Sequence, residues 1–301
     1  MAMPVAAAPH QGLRQRAEQL AAPIPPLLVA AERVAATVAQ GVHGRRRVGT
    51  GETFWQYRRY QQGDAASAID WRQSAKRQQF FVRQNEWEAA ESVWLWRDGS
   101  ASMAYRSKLS ESEKSERATL LLLALAALLL RGGERVALFG DERPPSSGKA
   151  TLDRLAAQLL LPKTSGDAAA SLPGIADLPR FAQLVLIGDF LSPLAEVEAV
   201  VRHYAAAGVN GHLLQVLDPA EEDLPFFGRT RFEGVEGEGT LTIGRVEQLR
   251  GDYLARFAAH QDGLKSLCRA AGWTVSSHRT DRPPQNALLA LYAALSGGLT
   301  W

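Results

Sequence analysis

Short apolar runs alternating with helical patterns constrain this chain more than any other feature. Leu184 to Ile187 carries no polar side chain, and Ser92 to Arg97 (S-V-W-L-W-R), Arg135 to Gly140 (R-V-A-L-F-G), Gly211 to Leu217 and Trp273 to Ser277 read as further strands. Helical patterns occupy residues 111–131, 152–161, 193–207, 245–271 and 284–295. Strands that are apolar on both faces must be covered on both, and strands returned by helices run parallel. The expected fold is therefore α/β, a doubly wound, mostly parallel sheet. Ahead of it, Leu28, Ala31, Ala35 and Val38 keep helix spacing within Leu27 to Gln40, and Phe80-Phe81-Val82 reads as a short strand. Phe232 to Ile243, broken by glycines, reads as a hairpin.

At 301 residues, 46% of them hydrophobic, the chain is long enough for one large domain with additions or for two modest domains. The expected divisions are an N-terminal helical segment (1–44), a basic segment rich in strand and loop (45–90) and the α/β domain (91–301). The longest apolar run, Leu120 to Leu130, holds eleven residues, about half of what a membrane-spanning helix needs. The N-terminus lacks the charged start and apolar core of a signal peptide, and a single cysteine, Cys268, fits a reducing compartment. The cytoplasm is the expected location.

Charge is uneven along the chain. Residues 45–83 hold nine Lys or Arg against Glu52, Asp64 and Asp70, an excess of six where the whole chain has +2. Interleaved with Phe54, Trp55, Tyr57, Tyr60 and Trp71, these basic residues have the composition of a nucleic-acid-binding surface. They better suit arginines that pair with Asp64 and Asp70 and pack their stems on the rings, with Trp71 as packing, and an acidic protein partner would use the same field.

The stretch with the most chemistry is Asp98-Gly99-Ser100-Ala101-Ser102. It leaves the C-terminal end of a strand and precedes a long helix, where open α/β sheets bind ligands. Positions i, i+2 and i+4 share a side of an extended segment, so one carboxylate and two hydroxyls converge, as hard cations such as Mg²⁺ require. Asp189 ends a second strand, and in a doubly wound sheet the two strand ends share one rim. The polar turn Thr164-Ser165-Gly166-Asp167 precedes that second strand and offers a third loop.

Asp98 to Met103 (D-G-S-A-S-M) resembles the first loop, D-x-S-x-S, of the metal-ion-dependent adhesion site of von Willebrand factor A domains. Further likeness lies in G-T-G-E-T-F from Gly49, Y-R-R-Y-Q-Q-G-D from Tyr57, A-I-D-W-R-Q-S-A-K from Ala68, F-V-R-Q-N-E from Phe81 and V-L-D-P-A-E-E-D-L-P-F from Val216. Across residues 45 to 297 the chain resembles the bacterial family known as domain of unknown function 58, a von Willebrand A-like group usually encoded beside MoxR-type AAA ATPases. The resemblance implies that Asp98, Ser100 and Ser102 are first-loop ligands of Mg²⁺, or of Mn²⁺ or Ca²⁺. It implies Asp189 as the third-loop aspartate acting through water, and Thr164, with Ser165 in reserve, as the second-loop ligand. It further implies a non-enzymatic adaptor whose ion is completed by an acidic side chain of a partner, working with a MoxR-type ATPase on an unknown client protein. Two departures stand out: Gly188-Asp189-Phe190 replaces the family's T-D-G, and Arg97 adjoins the first ligand.

Enzymatic alternatives find less in the sequence. There is no G-x-S-x-G elbow, and a hydrolase using Ser100 would have to recruit His203, His212 or His260 through the fold. Ser147-Gly148-Lys149-Ala150-Thr151 lacks the earlier glycine and the hydroxyl after lysine that a phosphate loop needs.

Overall fold

A computed structural model describes residues 24–41, 48–59, 70–74, 80–86, 92–160, 170–235 and 239–296. The first elements are α1 (Ile24–Gly41), β1 (Val48–Arg59), α2 (Trp71–Ser74) and β2 (Phe81–Glu86). Then follow β3 (Ser92–Arg97), a 3₁₀ turn (Ala101–Ala104), α3 (Lys114–Arg131), β4 (Arg135–Leu138), α4 (Lys149–Leu160) and β5 (Gln183–Gly188). The last third holds α5 (Leu194–Ala206), β6 (Asn210–Leu217), α6 (Pro219–Asp223), β7 (Thr230–Glu233), β8 (Thr240–Ile243), α7 (Val246–Ala270), β9 (Thr274–Arg279) and α8 (Pro284–Leu295). The described elements fall into two compact units, one holding β1, α2 and β2, the other all the rest.

In the larger unit five strands form one sheet in the order β4-β3-β5-β6-β9, every pair parallel. The expected α/β, doubly wound sheet is thus observed. All six residues of β5 are buried, as a central strand covered on both faces must be. Helices α5 and α7 pack over one face, where Leu184, Leu186, Val201, Tyr204, Leu264 and Cys268 join one core. Over the other face α3 buries Leu121 to Leu129, and α1, α4 and α8 pack with it. Helix α1, expected as a segment ahead of the domain, lies within the unit and buries Ala31, Val34, Ala35 and Val38. Cys268 is fully buried, and burial pushes its thiol up to about 12, as for a small hydrophobic side chain of the core.

One close approach in the sheet depends on glycine. A Cβ at Gly211 would stand 1.9 Å from the Trp273 ring, whose indole N–H donates to the Val209 carbonyl at 3.1 Å. The bare backbone of β6 lets the indole lie across it, closing the core between β6 and α7.

The smaller unit is an antiparallel β1–β2 pair with two register shifts along β1. Asp70 N–H donates to the Phe81 carbonyl at 2.9 Å, and Ser74 Oγ receives the Phe81 N–H at 2.9 Å, so the α2 turn is stitched to the start of β2. Trp71 meets Phe80 edge to face at 5.9 Å and is 62% exposed, so among the described residues its packing rests on that ring. Arg45, Arg46, Arg47, Asp64, Lys76 and Arg77 lie outside the described residues, as does the side-chain arrangement of β1 on which the nucleic-acid reading depends.

Candidate metal and docking site

The strand order reverses between β3 and β5: the chain leaves β3 for β4 on one side and returns to β5 on the other. Such a switch point opens a crevice at the carboxyl ends of the two strands. Asp98 and Asp189 stand there, the residues that follow β3 and β5. Asp98 N–H donates to the Ile187 carbonyl at 2.8 Å, so the first loop leaves the rim beside the second strand's end.

From this anchor the first loop builds a hydroxyl chain. Asp98 Oδ1 accepts the Ser100 N–H at 2.8 Å, a turn closed on the aspartate's own side chain. Ser102 Oγ donates to Asp189 Oδ2 at 2.6 Å, and Ser100 Oγ lies 3.0 Å from Ser102 Oγ. A serine hydroxyl has one proton, so Ser102, having given its own to Asp189, accepts from Ser100. Ser100 thereby keeps its lone pairs, and Asp98, fully buried, keeps Oδ2 without a hydrogen-bond partner among the described residues. Burial pushes the Asp98 carboxyl up to about 6, against the lowering effect of the Ser100 N–H hydrogen bond. A Cβ at Gly188 would stand 2.8 Å from Asp98 Cβ and 3.1 Å from Oδ2, so glycine leaves room beside the unpartnered oxygen.

The third loop departs from the expected ligand set. Lys114, the first residue of α3, is fully buried, and its Nζ donates to Asp189 Oδ2 at 2.9 Å and to Glu221 Oε1 at 2.5 Å. Burial works to lower the Lys114 ammonium, but the Glu221 and Asp189 carboxylates outweigh it and hold it above its ordinary value. Glu221 is itself positioned by a capping box on α6: its Oε2 accepts the Asp218 N–H at 2.8 Å, and Asp218 Oδ1 accepts the Ala220 N–H at 2.8 Å. Asp218 Oδ2 accepts the Ser107 N–H at 2.9 Å, tying α6 to the first loop. Phe190 follows Asp189 with φ +47°, the left-handed conformation that glycine adopts freely, while its ring is buried in the core. Strain of about 1–2 kcal/mol is thus offset by buried aromatic area.

The predicted ligands therefore divide. Asp98, Ser100, Ser102 and Asp189 come together; Thr164 and Ser165 lie outside the described residues. Lys114 and Glu221 are the residues that sequence reasoning missed. The donors that remain, one carboxylate oxygen and hydroxyl lone pairs, are hard oxygen ligands and fit Mg²⁺ or Mn²⁺. Among the described residues no cluster of three or more His, Cys, Asp or Glu has a metal-holding arrangement, so an ion here would rest on the one carboxylate of Asp98, on hydroxyls and on further ligands.

Beside Ser102 and Glu221 lies a cavity of about 570 Å³, walled by Tyr105, Phe226, Phe232, Leu241 and Leu249. Leu241 is 62% exposed and Leu249 44%, and Phe227, 71% exposed, follows Phe226. Antiparallel β7 and β8 form the hairpin expected over residues 232–243 and raise one wall of this groove.

Of the three candidate histidines, His203 meets the Tyr204 ring edge to face at 4.9 Å, and the other two, like His278, face polar groups. His260 Nε2 lies 2.7 Å from the Phe190 carbonyl, and His212 bridges Thr274 Oγ1 (2.8 Å) and Gln183 Oε1 (3.1 Å). His278 Nε2 lies 3.2 Å from the Arg117 guanidinium. Among the described residues no helix is long and apolar enough to cross a membrane.

Comparison with known proteins places the chain among its relatives. An uncharacterized protein of Mycobacterium tuberculosis is 27% identical over 261 residues, covering 81% of this chain and 80% of the relative. One of Mycobacterium avium is 31% identical over 107 residues, 34% of this chain and 60% of the relative. Among solved structures, the conserved hypothetical protein BatB of Bacteroides thetaiotaomicron matches 70% of this chain and 100% of its own, at 15% identity and a TM-score of 0.39. The family described as "Protein of unknown function DUF58" matches residues 56–263, more than half of the sequence, and the chain belongs to that family.

Proposed function

We propose that this protein is a non-enzymatic docking module of the von Willebrand A type, in which Asp98, Ser100 and Ser102 hold Mg²⁺ or a similar divalent ion. The observation that carries the reading is Asp98 Oδ2, a buried acceptor with no partner among the described residues, beside a hydroxyl pair at the switch point. A buried carboxylate oxygen left unsatisfied is costly, and a cation removes that cost. One carboxylate leaves a divalent ion under-neutralised, so an aspartate or glutamate of a partner completes it. The groove beside Ser102 takes the apolar side chains flanking that acid. A partner segment carrying an acid among apolar residues is thus the occupant that both features favour.

By the family resemblance the partner is a MoxR-type AAA ATPase, and the pair assembles or matures a further protein complex. His212 and His260 are engaged with other groups and His203 lies against the Tyr204 ring, which supports docking over hydrolysis at Ser100, since that would require a base on its hydroxyl.

Pull-down from native lysate with the tagged full chain tests this. A MoxR-type ATPase is expected in Mg²⁺, and is expected to be lost in chelator and with a folded Asp98→Ala variant. Equal recovery under all three conditions would overturn the reading.

A further inference from the structure

The inference rests on the cation site proposed above and concerns Lys114. A lysine at the first position of a helix opposes the helix dipole, and burying its ammonium adds a desolvation cost. Both costs are met here by Asp189 and Glu221, whose oxygens lie 2.9 and 2.5 Å from Nζ. Asp189 has little left to offer an ion: Oδ2 accepts from Ser102 and Lys114, and Oδ1 receives the Leu191 N–H at 3.3 Å.

We infer that Lys114 is a resident cation that takes Asp189 out of the ion's ligand set. Among the described residues the free chain then binds a divalent ion through Asp98, Ser100 and Ser102 alone, against a neighbouring ammonium. Binding becomes strong only when a partner's carboxylate supplies the missing negative charge. Ion and partner are each weak ligands of the free chain and good ligands together, which makes docking a coincidence event. An ordinary buried ion pair would hold α3 to α6 and leave ion affinity untouched, and the two accounts separate on that point.

Replacing Lys114 by Met together with Glu221 by Gln removes one charge of each sign, so the formal charge of the lysine and its neighbouring carboxylates is unchanged while Asp189 is released. Mn²⁺ titration of the full chain, followed by calorimetry and by electron paramagnetic resonance of free Mn²⁺, reads the effect without any partner. The expected result is Mn²⁺ binding tighter by about tenfold or more than in the wild type, given unit-charge interactions at an effective dielectric near 20. Lys114→Gln with Glu221→Gln serves if the methionine variant does not fold. Glu221→Gln alone, which leaves Lys114 on Asp189, is expected to bring no gain. Wild-type binding with equal or weaker binding by the double variants would overturn the inference and leave the cation site standing. Absence of Mn²⁺ binding in the wild type and in both double variants would remove the site and the inference together.

Discussion

Lys114→Met is expected to lose about 3–5 kcal/mol of stability, because truncating one member of a buried ion pair leaves its carboxylates unpaired in a low-dielectric site. Asp189 and Glu221 both depend on that ammonium, and Asp189 is only 2% exposed. For a unit of this size the loss corresponds to a fall in melting temperature of roughly 10 °C or more. Adding Glu221→Gln should restore part of it, since one of the two stranded charges disappears, and denaturant unfolding of the two single variants and the double gives the coupling directly. A loss under about 1 kcal/mol for Lys114→Met would show that water reaches these carboxylates and that the pair is a surface feature.

The second large effect is acid sensitivity from His212 and His278. Burial pushes both imidazoles down to about 4, with the Arg117 guanidinium adding to the effect at His278. Their folded values lie below the ordinary 6.5, so the unfolded chain binds protons that the folded chain refuses. The stability this represents is fully present above pH 6.5 and is lost as pH falls toward 4, by about 3 kcal/mol for each residue. Asp98 works in the opposite sense: its carboxyl, pushed up to about 6 by burial, favours the fold when protonated, so it gains stability as pH falls from about 6 toward 4. The contribution of one histidine therefore has to be read as a difference. His212→Gln should show a stability curve about 3 kcal/mol flatter than the wild type between pH 7 and pH 4. Parallel curves for the two proteins would mean that His212 is protonated in the fold.

Much of the fold was legible because burial on both faces leaves a local trace. Leu184 to Ile187 is apolar throughout and became the central strand, and Pro284 to Leu295 was delimited to the residue by its leading proline. Asp98, Ser100 and Ser102 were legible from their alternate spacing, and Asp189 from its place at a strand end. Lys114 was not, because it sits in Glu113-Lys114-Ser115-Glu116-Arg117, a run that reads as a solvated helix start. Its burial is created by partners 75 and 107 residues away, a relation no local pattern carries. Glu221 did leave a signal: Asp218-Pro219-Ala220-Glu221 has the spacing of a capping box with proline at the first helical position. Read that way, it turns the glutamate back toward the strand end where the site lies. β1 was obscured because its charged and aromatic residues lack the period-two apolar alternation of a half-buried strand.

The role proposed for Asp98 Oδ2 can be measured without any partner. Mn²⁺ titrated into the full wild-type chain should bind at one saturable site, weakly, and Asp98→Asn, which keeps the shape of the side chain and removes its charge, should abolish the binding while remaining folded. Equal Mn²⁺ binding by the wild type and Asp98→Asn would contradict the account, because the ion would then sit elsewhere on the chain.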